Sequence, residues 1–383
     1  MPASPSPSAS SRLSPWPVTL TLLVWAGLLA YNGILTQGQW VLALLPGRAF
    51  APEDVPTLPS NPQGYDGQFG LYMTMYPPPQ VAAYLDVPAY RYQRVLLPAL
   101  AGLLSRGRMA LYPWAAWFVL ALGHALGVRV VQGWLRSWGR SPWWALLYGL
   151  WPGLGLAFRV GLPEPLSYGL ALAGLDAGLR GRTARAAALL LAAVLAKETA
   201  LLIVAALTLA WLPRQPRRAL ALTLGVVVPW LLWQAVLWAL FGQVGVRSGG
   251  AGATAWPWIP LGWLLEIARH SLHFAVGYLA LYGPGLLAPL AVGLRDFARE
   301  IRAWARRGWR DAPDVWAWLL GVHGLVALWL PTSTWAEPFA AIRVLTGFLL
   351  AFWLYGWQRS RLKAWRFFLP FWMLGWILAL ARV

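Results

Sequence analysis

The stretch LLLAAVLAKETALLIVAALTLAWL, residues 189–212, is apolar except for Lys197, Glu198 and two threonines. It reads in two ways: one long helix with a charged pair at its centre, or two short helices meeting in a hairpin at Lys197-Glu198. The two short helices would be 184–197 and 199–212, ~13–14 residues each, about 20 Å at a rise of ~1.5 Å per residue. That is short of a ~30 Å hydrocarbon core. The basic residues decide between the two. With a cytoplasmic N-terminus and a hairpin at Lys197-Glu198, most basic residues gather on one side. They are Arg12; Arg129, Arg136 and Arg140; Arg180, Arg182 and Arg185; Arg214, Arg217 and Arg218; the group from Arg295 to Arg310; and Arg359, Arg361, Lys363 and Arg366. A single helix through Lys197 would put Arg180–Arg185 and Arg214–Arg218 on opposite sides, against the tendency of basic loops to stay cytoplasmic. The hairpin is therefore the expected arrangement.

Composition supports a membrane setting. Of 383 residues, 59% are hydrophobic and only 11% charged, against about 25% charged in a soluble domain. Of the 28 tryptophans, many lie near the ends of apolar runs, as interfacial belts do. With no cysteine, disulfides and thiolate chemistry are excluded. The net charge of +18 is read as orientation in the membrane rather than as a nucleic-acid surface. Residues 1–15 are Ser/Pro-rich and expected to be disordered. Residues 16–383 are expected to form one transmembrane domain.

Spans are expected at 16–36, 109–128, 142–160, 163–179, 184–197, 199–212, 219–241, 274–294, 315–331, 338–357 and 367–382. That makes about eleven, or about ten if 184–212 is one helix. Residues 38–94 form a long first outer loop, 95–105 a surface or re-entrant helix, and 295–314 a basic cytoplasmic loop. The fold class is thus an all-α polytopic membrane protein.

The acids sort opposite to the bases. Glu53, Asp54, Asp66, Asp86, Glu164, Glu198, Glu266 and Glu337 all fall on the outer side. Acids do little to set orientation, so their clustering points to an outward polar site. Asp66, in Tyr65-Asp66-Gly67-Gln68-Phe69, is placed to take a proton from a hydroxyl or to orient it; an Asp-Gly turn is the plain alternative. In Arg91-Tyr92-Gln93-Arg94 two guanidiniums suit a phosphate, with snorkelling to headgroups as the alternative. Arg159 and Glu164 flank a rigid Gly161-Leu162-Pro163 turn. Lys197 and Glu198 lie at membrane depth, where ionisable groups are costly and by default functional; a mutual structural ion pair is the alternative. Glu337 and Arg343 bracket the start of another span and could pair with each other. His270 and His273 lack an evident third metal ligand. No nucleotide-binding loop is present.

Three patches carry a resemblance: Tyr65-Asp66-Gly67-Gln68-Phe69 with Asp86-Val87-Pro88-Ala89-Tyr90-Arg91-Tyr92-Gln93-Arg94 and Pro98; Glu164-Pro165-Leu166; and Lys197-Glu198-Thr199. In these the chain resembles bacterial GT-C glycosyltransferases of cell-surface glycopolymer formation, distant relatives of polyprenyl-phosphate-sugar-dependent mannosyltransferases. The resemblance implies a GT-C-like helical bundle with a cavity formed by helices on the first outer loop. It implies a polyprenyl-phosphate sugar as donor and a glycan, lipid or protein acceptor, with no nucleic-acid partner. The setting would be the extracytoplasmic side of the bacterial inner membrane. Asp66 matches the loop-one acid; where such enzymes often carry two adjacent acids, Gly67 follows here. Asp66, Glu164 and Glu198 are the candidate catalytic carboxylates. Arg91, Arg94, Lys197 and Arg343 are candidate donor-phosphate ligands. Tyr65, Gln68, Arg159, Tyr92 and Glu337 are candidate substrate contacts. No cofactor is assigned, no metal ligand is named, and a divalent metal is left open. A transporter or flippase of a lipid-linked glycan and a non-catalytic envelope-assembly subunit are the competing readings.

Overall fold

The computed structural model describes residues 14–248, 257–336, 338–359, 372, 375–377 and 379–380. Every regular element among them is helical. The first long helix is α1 (Trp16–Leu35), which starts on prolines whose fixed φ suits a first turn. The segment 38–94 that follows is folded rather than open. It contains a 3-10 turn at Trp40–Leu44, α2 (Gly67–Met75), a second 3-10 turn at Gln80–Tyr84, and α3 (Pro88–Tyr92). Next come α4 (Leu96–Ser105), with Leu103 and Leu104 exposed, and the long α5 (Tyr112–Ser137).

The expected span 142–160 is broken. A 3-10 turn at Pro142–Ala145 and α6 (Leu146–Gly149) lead to Trp151, which is extended ahead of Pro152, where α7 (Pro152–Arg159) begins. A proline disfavours helix at the residue before it and cannot accept a continuing helix from behind, so Pro152 is the physical reason for the split. Then follow α8 (Glu164–Leu179), α9 (Thr183–Ala196), α10 (Leu201–Trp211) and α11 (Pro216–Phe241), which ends on left-handed Gly242. The remaining helices are α12 (Gly262–His270), α13 (Leu272–Tyr282), α14 (Ala288–Arg307), α15 (Val315–Leu328), α16 (Thr332–Ala336), α17 (Pro338–Val344) and α18 (Thr346–Gln358). The expected span 274–294 bends at a π turn over Gly283–Leu287, where Pro284 removes a backbone donor. The expected helix 367–382 lies largely outside the described residues, as do residues 1–13.

The hairpin is present. Lys197 is extended (φ −157, ψ 126) between α9 and α10. Far from this turn, both helices meet the same part of α11. Thr208 of α10 shares a 3.0 Å hydrogen bond with Thr223, and Ala187 of α9 packs beside Gly225. Arg218 lies beside Gly181. The basic turns at 180–185 and 214–218 therefore sit at one end of the bundle and Lys197-Glu198 at the other.

Among the described residues, three helices are long and apolar enough to cross a membrane by themselves: Trp16–Leu35, the continuous rod Met109–Ser137, and Pro216–Phe241. Leu272–Ala280 and Gly283–Arg307 qualify only as a pair, bent by 57°. Leu96–Ser105, Thr183–Ala196, Glu198–Trp211 and Val315–Leu328 are apolar but shorter. The long helices leave apolar side chains uncovered: Leu23 on α1, Phe118 and Leu122 on α5, and Leu224, Leu231 and Leu232 on α11. Such continuous exposed apolar surface marks a membrane or protein contact. Inside, α5 and α8 approach closely at Gly123 and Gly169, where a Cβ on Gly169 would overlap the backbone of Gly123. Small residues at a helix crossing permit such an approach in apolar surroundings.

Candidate functional site

The site is built at the Lys197-Glu198 end of the bundle, where the 38–94 segment folds over the turns between helices. Asp66 stands at the start of α2, so its carboxylate projects from a fixed helix end. The following position must be glycine. A Cβ at Gly67 would overlap the carbonyl oxygen of Val160 in the turn after α7. A side chain at 67 has nowhere to go, so the position beside Asp66 has a steric reason to be glycine.

Asp66 Oδ1 lies 2.9 Å from Arg91 Nη2. The same guanidinium donates to Asp86, Nε to Oδ1 at 2.8 Å and Nη2 to Oδ2 at 2.6 Å. It also lies over the Phe69 ring at 4.3 Å. Burial by itself would raise the Asp66 pKa. The charges of Arg91, Arg343 and Arg94, with the Arg91 hydrogen bond, outweigh it and hold the carboxyl well below its ordinary value.

Arg94 binds Glu198 with both arms of its fork, Nε to Oε2 at 2.8 Å and Nη2 to Oε1 at 2.6 Å. Its Nη2 also donates to the Tyr90 hydroxyl at 2.6 Å. For Glu198 burial again pushes the pKa up. The Arg94 charge and hydrogen bond, with Lys197, reverse this and hold it at about 2.

A third cluster lies deeper. Glu164 is fully buried, and its Oε1 accepts from Lys197 Nζ at 2.7 Å and Arg343 Nη1 at 3.1 Å. Arg343 also lies 5.2 Å from the centre of the Tyr65 ring. The mutual Lys197–Glu198 pair, the alternative reading of these two residues, is not what the turn forms. Lys197 and Glu198 are adjacent in sequence, yet they turn to different partners, Glu164 and Arg94. Arg343 bonds to Glu164, while Glu337 lies outside the described residues.

A cleft lies against the first two clusters, lined by Asp66, Arg91 and Arg94 at a polar end and by Phe69, Met73 and Leu97 along an apolar wall. Its free space is about 40 Å³, room for roughly three waters at ~10–15 Å³ each. The structure thus holds a closed site whose arginines are engaged by the protein's own carboxylates.

Several expected contacts take other roles. Gln68 is fully buried and clamps the loop: its Oε1 accepts from Gly47 N at 2.9 Å and Tyr72 Oη at 3.1 Å, and its Nε2 donates to Gln63 O at 2.9 Å. Its amide is spent on folding the 47–68 segment. Tyr92 is buried against Phe241 at a ring separation of 5.2 Å, which makes it a docking residue between α3 and α11. Arg159 faces away from the cleft, toward Asn32 and Ala379. Glu164 and Lys197 are too deeply buried to meet a ligand in this state. Asp86 and Tyr90 join the site through Arg91 and Arg94. Their signal was present in the sequence: each lies four or five residues before its arginine, on or just ahead of a short helix.

Among the described residues no group of three or more His, Asp or Glu side chains is arranged to hold a metal ion. Comparison with known proteins gives no match to a family model, a curated protein or a solved structure.

Proposed function

We propose that the chain is a membrane glycosyltransferase with a GT-C-like layout, set in a bacterial inner membrane with about eleven spans and an extracytoplasmic site. It would move a sugar from a polyprenyl-phosphate donor to a cell-envelope glycan, lipid or protein acceptor. The observation that carries this reading is the Asp66–Arg91 pair beside Arg94, in one cleft, at the loop-covered end of an apolar bundle. An anionic lipid-linked substrate needs cations at the edge of the apolar region, and transfer to a hydroxyl needs a carboxylate beside them.

In this reading the donor phosphate displaces Asp86 from Arg91, or Glu198 from Arg94, and opens the cleft. The acceptor oxygen attacks the anomeric carbon as the bond from that carbon to the phosphate oxygen breaks. The leaving phosphate gains charge, and the arginines stabilise it. The acceptor proton goes to a carboxylate. Asp66 is a weak base while Arg91 holds it, so its first role is to orient the hydroxyl. It accepts the proton once the ligand has drawn Arg91 away. Glu198 is the alternative acceptor, freed by the same exchange at Arg94.

Transfer from a polyprenyl-phosphate sugar by the purified protein, compared with Asp66→Asn, tests the proposal. Near-normal transfer by Asp66→Asn sinks the role of the acid. The absence of transfer with any such donor sinks the activity.

A second reading, a flippase for a lipid-linked glycan, draws support from the buried Glu164–Lys197–Arg343 cluster and the broken helix path at Trp151. Interrupted helices and buried charges recur where transporters bind substrate. Movement of labelled lipid across liposomes without sugar transfer would favour it.

A further inference from the structure

The end of the bundle opposite the Asp66 cleft carries an open groove of about 490 Å³, lined by Arg214, Gln215, Pro216, Arg217 and Arg218 where α10 gives way to α11. All five residues are exposed. Arg214 Nε donates to the Arg310 carbonyl at 2.8 Å, and Arg218 Nη1 donates to Gln215 Oε1 at 2.8 Å. Among the described residues, none of the three arginines forms an ion pair. The Arg214 bond also brings in a second basic run, 306–311, with Arg306, Arg307 and Arg310. Asp311 is the one acid in the two runs. Trp309, beside Arg310, is 57% exposed.

Orientation in a membrane calls for positive charge at this end but for no particular place on a helix. Cations in the first turn of a helix oppose its dipole, so α11 gains nothing as a helix from Arg217 and Arg218. The helical register supplies a reason. At about 100° per residue, Leu220, Leu224, Val228 and Leu231 fall within about 60° of Arg217 around α11. All four are 44–59% exposed. Only 22% of the apolar stretch of α11 is buried inside the protein. Arg217 therefore heads an uncovered apolar stripe on a helix long enough to cross a membrane. From Leu220 to Leu231 the stripe runs about 16 Å at ~1.5 Å per residue. That is about half of a ~30 Å hydrocarbon core, the depth of one leaflet.

We infer that this groove binds the headgroup phosphate of an anionic phospholipid, whose acyl chain lies along Leu220, Leu224, Val228 and Leu231. Arg217 and Arg218 meet the phosphate, whose oxygens suit guanidinium forks. Basic clusters beside a membrane helix attract anionic lipid in this way. A zwitterionic headgroup carries its own cation, which the arginines repel, so the site discriminates against it. The site lies at the other end of the bundle from Asp66 and does not depend on the glycosyl-transfer reading.

The experiment is native mass spectrometry of the full-length protein in detergent, titrated with phosphatidylglycerol and with phosphatidylcholine. Wild-type protein retains phosphatidylglycerol about tenfold better, the scale expected for one or two arginines at a lipid surface. In the double variant Arg217→Gln/Arg218→Gln the preference falls to about twofold or less. The double variant Arg106→Gln/Arg108→Gln removes the same charge from exposed positions at the other end of α5 and keeps the full preference. All four substitutions are at exposed positions, and equal thermal midpoints confirm that the fold is intact. Glycerol phosphate at the same concentration leaves the lipid bound, because the chain on α11 holds it. A wild-type protein with no preference overturns the inference. So does a preference that survives Arg217→Gln/Arg218→Gln, or an equal loss in the two double variants. Displacement of the lipid by equimolar glycerol phosphate overturns the role of the stripe. Displacement by a short single-stranded oligonucleotide makes the partner a nucleic acid and overturns the lipid assignment. Sugar transfer, present or absent, bears only on the Asp66 cleft.

Discussion

Arg94 and Glu198, separated by 104 residues, close a two-armed ion pair at 2.8 and 2.6 Å. The pair ties the folded 38–94 segment to the turn between α9 and α10, so one contact joins the cover of the site to its floor. Both side chains keep only slight solvent contact, 13% and 22%. A pair in this setting is costly to break from one side, because the remaining charge stays desolvated.

Glu198→Gln is expected to lower stability by about 2–3 kcal/mol, below the ~3–5 kcal/mol of a fully buried pair because some water reaches it. The pH dependence has a definite sign. The folded pKa, about 2, lies below the usual 4.5, so the contribution is complete above 4.5 and is lost as pH falls through 2. The difference in unfolding midpoint between wild type and Glu198→Gln should stay constant from neutral pH down to about 5. It should then shrink on further acidification. A difference that peaks near neutral pH would show that Arg94 is not what holds Glu198.

Glu164 bridges two cations, Lys197 and Arg343, at 2.7 and 3.1 Å in a fully buried position. Its removal takes away the carboxylate that bridges Lys197 and Arg343 and leaves two buried positive charges facing each other. Glu164→Ala should therefore cost more than Lys197→Met, with at least ~3–5 kcal/mol expected for the former. Lys197→Met leaves Glu164 still paired with Arg343. Folded yield from detergent extraction and the thermal midpoint of each variant check the order. The reverse order would mean that Lys197, not Glu164, is the centre of the cluster.

Gly67→Ala adds one methyl group where the Val160 carbonyl already stands. The helix start must shift away from the turn after α7, and Asp66 moves with it. The expected outcome is a loss of about 1–3 kcal/mol, the range for overpacking a tight contact, with faster proteolysis of the 47–68 loop. Gly67→Asp, a larger side chain placed beside the Asp66 carboxylate, should be worse than Gly67→Ala. Limited proteolysis and the thermal midpoint give the comparison.

The sequence carried the hairpin at Lys197-Glu198 because positive charge at Arg180–Arg185 and Arg214–Arg218 had to lie on one side. It also carried the grouping of Asp66, Arg91, Arg94 and Glu198 at one end, because acids there had no part in orientation. The partners were not legible. Lys197 and Glu198 are neighbours in sequence, but an extended residue at the turn sends their side chains to Glu164 and Arg94. Pairing across 33 and 104 residues depends on how helices dock, which periodicity does not specify. Gln68 and Tyr92 looked like ligand contacts because polar groups in a loop suggest binding; here the loop folds on itself around the Gln68 amide, and the Tyr92 ring docks the loop onto Phe241 of α11. The span 142–160 looked continuous by hydropathy because Pro152 is apolar, while its backbone geometry breaks the helix.

Asp66 offers the sharpest test of the proposed sugar transfer. Its carboxyl is held below the ordinary value by Arg91, Arg343 and Arg94, so it is ionised throughout the physiological range. A group with a depressed pKa gives up its proton early as pH rises, and its charge is lost only as pH falls through that low value. The pH profile of kcat/KM reports ionisations of the free enzyme, so it should show no acid limb from this residue between pH 5 and about 7. Asp66→Asn keeps the shape but removes the charge, and transfer should fall by about 100-fold or more, the scale of a positioned acid–base group. The loss should be nearly the same at every pH in that window. A wild-type acid limb near pH 6 that disappears in Asp66→Asn would mean that Arg91 has already released the carboxylate in the free enzyme. In that case the closed cleft is not the state that meets the substrate.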